Sequence, residues 1–222
     1  MRKIYKILLF ILNSKFVFKK PKSVDIIIYD RILSEYIALY LKPFSHEVLQ
    51  IRGQSLNLFI LLKLILKFPT KNFLHEYVKI YIETVKPKIV ITANDNDIKF
   101  FKLKNHIKNI DFKTIAIQNG YRTLTAPDII NYYKDFKNKD LLVDYFLCFN
   151  DEIGKLYQKL FNSKSLTIGS FLNNINFKSK IQKKKKKKFF WISQFRYRKN
   201  HNNIIDESNL TKNQKINFIN YK

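Results

Sequence analysis

The chain has 222 residues, 46% of them hydrophobic, which is enough for one large domain with a sizeable core. Its single cysteine, Cys148, excludes a disulfide framework and favours a reducing, intracellular compartment. The formal charge of +25 allows binding to nucleic acid or to an anionic membrane surface. Because the lysines spread over many helices as solvated faces, we expect membrane attraction rather than nucleic-acid binding.

The first 22 residues are predicted to form an amphipathic segment that is helical over residues 1–20. Its apolar stretch, residues 7–12, is too short for a membrane span of about 20 residues. A small-residue cleavage site does not follow it, which argues against a secretory signal. The helix is expected either to pack on the domain or to lie on a membrane.

Short apolar runs and longer amphipathic segments alternate from residue 23 onward. The apolar runs predict strands at residues 24–29, 47–51, 88–92, 114–117, 145–149 and 165–168. The segments between them predict helices at residues 32–41, 56–68, 72–85, 98–106, 129–136 and 152–161. This alternation predicts an α/β domain over residues 23–172, with a Rossmann-like, open, mostly parallel sheet and helices on both faces. The first, third and fourth strands are expected to be adjacent and parallel.

The pattern changes after residue 172. Residues 173–188 are predicted to be a basic linker that ends in a lysine run at residues 183–188. Residues 189–193 predict one further strand, and the rest of 189–222 holds little periodic apolar content. We therefore expect residues 189–222 to be a fragment of a truncated second domain. A frameshift, a partial gene and a natural split remain alternatives, and a separately encoded second half is an expected partner.

Polar residues follow the predicted strands, and the carboxyl ends of parallel strands share one sheet edge, where α/β proteins bind ligands. Arg52 and Arg122 suit an anion, because the guanidinium fork matches carboxylate or phosphate. Asp95, Asp97 and Asp151 are explained equally well as helix caps. The candidate binding residues are Arg31, Arg52, Asn94, Asn96, Asn119, Gly120, Arg122, Asn150, Gly169 and Ser170.

Several familiar signatures are absent from the sequence. The four histidines have no metal-ligand spacing, and there is no G-x-G-x-x-G, no P-loop and no G-x-S-x-G. These absences argue against a dinucleotide enzyme, an NTPase and an α/β-hydrolase. We predict no metal and no cofactor.

An ordered series of strings carries a family resemblance. The strings are DIIIYDR at 25–31, VITANDN at 90–96, TIAIQNGYR at 114–122, VDYFLCFN at 143–150, IGSF at 168–171 and ISQFR at 192–196. Together they resemble bacterial surface-carbohydrate biosynthesis proteins, a family similar to capsule and lipopolysaccharide glycosyltransferases of the GT-B type. In that type an N-terminal Rossmann-like domain holds the acceptor and a C-terminal domain holds the donor. The resemblance places Gln194 and Arg196 on the first strand of the donor side.

This resemblance implies a glycosyltransferase-like protein of the cytoplasm, peripheral at the inner face of the membrane. Its implied partners are a nucleotide-sugar donor and a glycan or lipid-linked acceptor. Asp30 or Asp95 would be the catalytic base, and the chain alone is expected to transfer no sugar because most of the donor domain is missing. The alternatives are a non-catalytic α/β binding module or remnant, and a basic nucleic-acid-associated protein.

Overall fold

The computed structural model describes residues 11–51, 55–67, 73–120 and 141–175, all within one compact unit, Met1–Lys180. The predicted helix at 129–136, the lysine run and the strand at 189–193 lie outside the described residues. The same is true of Arg52, Arg122, Gln194 and Arg196. The domain boundaries at residues 22, 172 and 188 stay predictions.

The described residues form strands and helices in an alternating order. In chain order they are β1 (Lys15–Val17), β2 (Ile26–Tyr29), α1 (Ser34–Tyr40), β3 (His46–Leu49), β4 (Ser55–Asn57), α2 (Leu58–Leu66), α3 (Phe73–Val85), β5 (Ile89–Thr92), α4 (Ile98–Phe101), α5 (Leu103–His106), β6 (Lys113–Ile117), β7 (Leu142–Cys148), α6 (Asp151–Leu160), β8 (Asn162–Thr167) and α7 (Phe171–Ile175).

Six of these strands form one parallel sheet in the order β3-β2-β5-β6-β7-β8. The sheet confirms the predicted α/β fold, and it confirms that β2, β5 and β6 are adjacent and parallel. Each of the six predicted strands overlaps an observed one, with ends that differ by a few residues. Parallel pairing requires crossover connections, and described helices lie in all of them except the one between β6 and β7, which is outside the described residues.

Both faces of the sheet are covered, which explains the continuous apolar runs of the central strands. In β2, Ile27 packs into the larger core cluster, while Ile28 packs into a smaller cluster on the opposite face. Val90 and Ile91 of β5 divide in the same way. Because successive side chains of a strand point to opposite faces, a strand buried on both sides has no polar alternation.

Stacked aromatic rings fill the larger cluster at its centre. Phe146 of β7 stacks on Tyr157 of α6 with ring centroids 4.3 Å apart, and Phe161 stacks on Phe101 at 4.7 Å. All four side chains are fully buried. These contacts attach α6 and α4 to the same face of the sheet.

The amino-terminal segment differs from the prediction. The helix expected over residues 1–20 is wrong at Lys15–Val17, which forms β1 and pairs in parallel with β4. The helix expected from residue 56 begins at Leu58, because the Asn57 side chain accepts hydrogen bonds from the amides of Phe59 and Ile60 and caps α2. The apolar pattern of residues 15–17 and 55–57 suits a helix or a strand, and the pairing of these two distant segments selects the strand.

Gly154 of α6 lies against the sheet with no room for a larger side chain. A Cβ at this position would lie 3.1 Å from the Cys148 sulfur and 3.1 Å from both Ser165 side-chain atoms. We expect Gly154→Val to lower the free energy of unfolding by about 1–3 kcal/mol through overpacking, measured by urea titration. Lys155→Val is the matched control, since Lys155 is an exposed neighbour in the same helix. Helix propensity alone predicts a small gain for Gly154→Val and a small loss for Lys155→Val, so a Gly154→Val variant as stable as the wild type would contradict the packing argument.

Candidate functional site

The sheet contains one topological switch point among its described strands, between β2 and β5. From β2 the chain passes to β3 on one side, and it later returns to β5 on the other side. In open α/β sheets the crevice at the carboxyl ends of two such strands is the usual ligand site. The residues that follow β2 and β5 are therefore the first candidates.

Buried polar side chains concentrate at this edge. Of the nine buried polar or charged residues among the described ones, six lie at or just after the carboxyl ends of β2, β5 and β6. Burial of a polar group is costly unless it is satisfied, so such a concentration sets this edge apart from ordinary core and makes it the candidate site. The six are Asp30, Ser34, Thr92, Asn94, Asp95 and Gln118.

Asp30 begins a tight turn between β2 and α1. Its backbone adopts a φ of 80°, and Leu33 in the same turn has a φ of 53°. The Asp30 amide donates to the carbonyl oxygen of Leu49 at 2.9 Å, and its Oδ1 accepts from the Arg31 amide at 2.6 Å. Positive φ is costly for leucine and more easily adopted by aspartate. Two such residues in one turn put backbone strain beside the switch point.

Asp97 follows β5, but the candidate site residues did not include it, because a helix cap explains it equally well. Its Oδ1 does accept the Lys99 amide at 2.9 Å and caps α4. Burial nevertheless raises the pKa of Asp97, and the nearby charge of Asp30 raises it further. Asp30 and Asp95 have 0% exposure, whereas Asp97 keeps part of its surface. Asp97 is therefore the carboxyl group of this cluster that a ligand can reach.

The raised pKa of Asp97 predicts the pH dependence of an Asp97→Asn variant. Above the folded-state pKa the wild-type protein carries a charge that the folded state disfavours, and below the unfolded-state pKa it carries none. Asparagine caps a helix as well as aspartate does. We expect Asp97→Asn to be more stable than wild type at pH 7 and equally stable at about pH 3.5, near the ordinary aspartate pKa, in urea titrations.

The pKa of Asp144 is shifted in the opposite direction to that of Asp97. Burial raises its pKa, but hydrogen bonds from the Thr114 amide at 2.8 Å and the Lys104 ammonium at 3.0 Å outweigh burial and lower it. We expect Asp144→Asn to lose about 1–3 kcal/mol at pH 7 and progressively less as the pH falls through the lowered pKa of Asp144. The same pH trend in the two variants would contradict at least one of the two assignments.

Gln118 is a site residue that the candidate set omitted. It follows β6, is 1% exposed, and its Nε2 donates to the Gly120 carbonyl oxygen at 2.8 Å. Its Oε1 accepts from the Phe149 amide at 2.9 Å, so it joins the ends of β6 and β7. Asn119 and Gly120, both half-buried, are held at the same edge. Its position directly before Asn119 and Gly120, both of which were candidates, could have indicated it from the sequence.

The candidates after β7 and β8 lie farther from the switch point. Asn150 caps α6, since its Oδ1 accepts from the Ile153 amide at 2.9 Å. Gly169, with a φ of 68°, and Ser170 follow β8. Because β7 is two strands and β8 three strands from β5, Asn150 lies about 10 Å along the edge and Gly169 and Ser170 about 14 Å along it. The fold brings Asp30, Arg31, Asn94, Asp95 and Asn96 together, with Asn119 and Gly120 one strand away, and it separates Asn150, Gly169 and Ser170 from them.

Two of the four histidines lie against each other in the described residues. His75 and His106 meet with ring centroids 4.1 Å apart, a proximity that their sequence spacing did not indicate. Among the described residues, no group of three or more histidine, cysteine, aspartate or glutamate side chains could hold a metal ion. No helix in those residues is long and apolar enough to cross a membrane.

Comparison with known proteins adds one finding. Residues 115–220 match the model of a family described as "putative O-antigen biosynthesis protein". No curated protein and no solved structure matches the chain. The matched range begins in β6 and includes Gln118, Gly120 and the strings at 143–150, 168–171 and 192–196, whereas the strings at 25–31 and 90–96 lie outside it. The match supports a link to surface-carbohydrate biosynthesis.

Proposed function

We propose that this chain acts in bacterial O-antigen biosynthesis as a glycosyltransferase-like protein of the GT-B type, whose parallel-sheet domain holds the saccharide acceptor. The observation that carries the proposal is the buried polar cluster at the β2–β5 switch point, in a chain that also matches an O-antigen biosynthesis family. Hydroxyl-rich ligands need several convergent polar groups that they can reach, and beside the buried cluster this edge carries Asn96, Asp97 and Asn119, which are exposed or half-buried.

Sugar transfer needs an acceptor hydroxyl that is held in place and deprotonated as it attacks. Asp30 and Asp95 are fully buried whereas Asp97 is partly exposed, so we propose that Asp30 and Asp95 position the turn and add negative charge to the site. The raised pKa of Asp97 is closer to neutral pH than the pKa of an ordinary aspartate, which suits a general base. Arg52 and Arg122 are the proposed contacts for anionic groups of the ligands, because guanidinium groups pair with phosphate.

The proposal is tested by deleting the coding sequence and following the O-antigen ladder of extracted lipopolysaccharide on a gel. We expect the ladder to disappear and to return with the wild-type chain. An unchanged ladder in the deletion strain would contradict the proposal. In parallel, purified chain is titrated with the isolated O-antigen saccharide and followed by calorimetry. Saccharide binding together with a ladder that survives deletion would favour the alternative of a non-catalytic binding module.

A further inference from the structure

An exposed apolar surface lies outside the six-stranded sheet, on β1, the residues beside it and α2. We call it the amino-terminal patch. Phe18 and Leu66 are 77% and 79% exposed, the highest values among the large hydrophobic residues that the structure describes. The exposed apolar members of the patch are Phe16, Val17, Phe18, Leu62, Ile65 and Leu66.

The helix α2 is apolar on both of its faces. One face, with Ile60 and Leu64, is fully buried in the core. Leu62, Ile65 and Leu66, spaced at i, i+3 and i+4, lie on the other face and are at least half exposed. A helix that is hydrophobic all round is normally buried all round. The outer face of α2 is therefore an apolar surface of the kind that marks an interaction site.

Three contacts join the pieces into one surface. β1 pairs with β4, which leads directly into α2. The Asn57 side-chain amide donates to the Lys19 carbonyl oxygen at 2.7 Å. The ammonium groups of Lys20 and Lys63 lie 5.3 Å and 4.7 Å from the centroid of the same Phe59 ring. The segment after β1 and the outer side of α2 are thus neighbours.

The charge around the patch identifies its partner. Residues 11–22 and 55–67 contain no aspartate and no glutamate. Lysine stems can cover apolar surface while their ammonium groups reach anionic headgroups. A second copy of the chain would instead place lysines against lysines, a repulsion that disfavours a symmetric dimer through this surface. The lysines concerned are Lys15, Lys19, Lys20, Lys22, Lys63 and Lys67.

We propose that the amino-terminal patch docks the chain on an anionic phospholipid bilayer. The apolar side chains enter the boundary between headgroups and acyl chains, and the surrounding lysines contact the phosphates. This inference does not rest on the proposed function, and its test requires no saccharide. Failure of vesicle binding and failure of the O-antigen test are therefore separate outcomes.

The test is co-sedimentation of the full chain with vesicles of phosphatidylcholine, with and without phosphatidylglycerol. We expect binding to the mixed vesicles, and an affinity at least about tenfold lower for the double variant Leu62→Gln/Leu66→Gln. Glutamine is a good helix former, so α2 should persist. The matched control is Leu39→Gln/Leu166→Gln, two leucines that are 46% and 41% exposed elsewhere, and it should bind like wild type.

Two results would overturn the proposal. Wild-type affinity of Leu62→Gln/Leu66→Gln would assign vesicle binding to other basic residues, such as the lysine run. A dimer in gel filtration that becomes a monomer in this variant, with vesicle binding unchanged, would assign the patch to a second copy. If circular dichroism shows that the double variant is unfolded, Phe18→Ser replaces it, because Phe18 lies outside α2. We expect the affinity of Phe18→Ser to be about one third of the wild-type affinity or lower.

Discussion

Asp97→Asn is expected to abolish the O-antigen ladder when it replaces the wild-type chain in the deletion strain. If Asp97 accepts the proton of the attacking hydroxyl, its loss should lower sugar transfer by about 10²–10⁴-fold. The rate is measured as incorporation of labelled sugar into saccharide by membranes of the complemented strain. Because the variant is expected to be more stable than wild type at neutral pH, unfolding would not explain the loss.

Three aspartate variants make this prediction specific. Asp111→Asn is the matched control, since Asp111 is exposed and precedes β6 at the opposite edge of the sheet, and it should transfer at the wild-type rate. Asp30→Asn keeps a residue that adopts positive φ, so it removes charge without disturbing the turn. It and Asp95→Asn should reduce transfer less than Asp97→Asn. A wild-type rate for Asp97→Asn would remove Asp97 from the chemistry and return the base to Asp30 or Asp95.

Phe146→Ala is expected to lower the free energy of unfolding by about 3–5 kcal/mol. Phe146 is fully buried at the centre of the larger core cluster. Its ring stacks on Tyr157 at 4.3 Å and meets the edge of Phe161 at 5.7 Å. Truncation removes both ring contacts and leaves a cavity. Neighbouring strands hold β7 in the sheet, so β7 and α6 cannot move together to close this cavity.

The measurement is urea unfolding followed by far-ultraviolet circular dichroism. Phe44→Ala is the matched control, because it makes the same substitution at a side chain that is 53% exposed, and it should change stability by no more than about 0.5 kcal/mol. Similar losses for both variants would show that the aromatic stack is not the centre of stability.

The sequence by itself determined the α/β fold, and the reason is periodicity. Ile26–Tyr29 and Ile89–Thr92 are apolar without alternation, a pattern that suits strands covered on both faces. Pro87 marks the boundary between α3 and β5 through its missing amide donor. Once parallel pairing follows from the helical crossovers, Asp30, Asn94, Asp95, Asn119 and Gly120 must fall at one edge. Residue order alone was therefore sufficient to place these candidates.

The tertiary structure decided what depends on contacts between distant segments. The pairing of β1 with β4 overrode a helical pattern, and the packing of α2 buries only one of its two apolar faces. The distance of Asn150, Gly169 and Ser170 from the switch point follows from strand order, which the order of residues does not state. Asp97 has the pattern of a helix cap, and only the burial around it and the charge of Asp30 raise its pKa. Local patterns determine elements, whereas burial and electrostatics arise only when separate elements pack together.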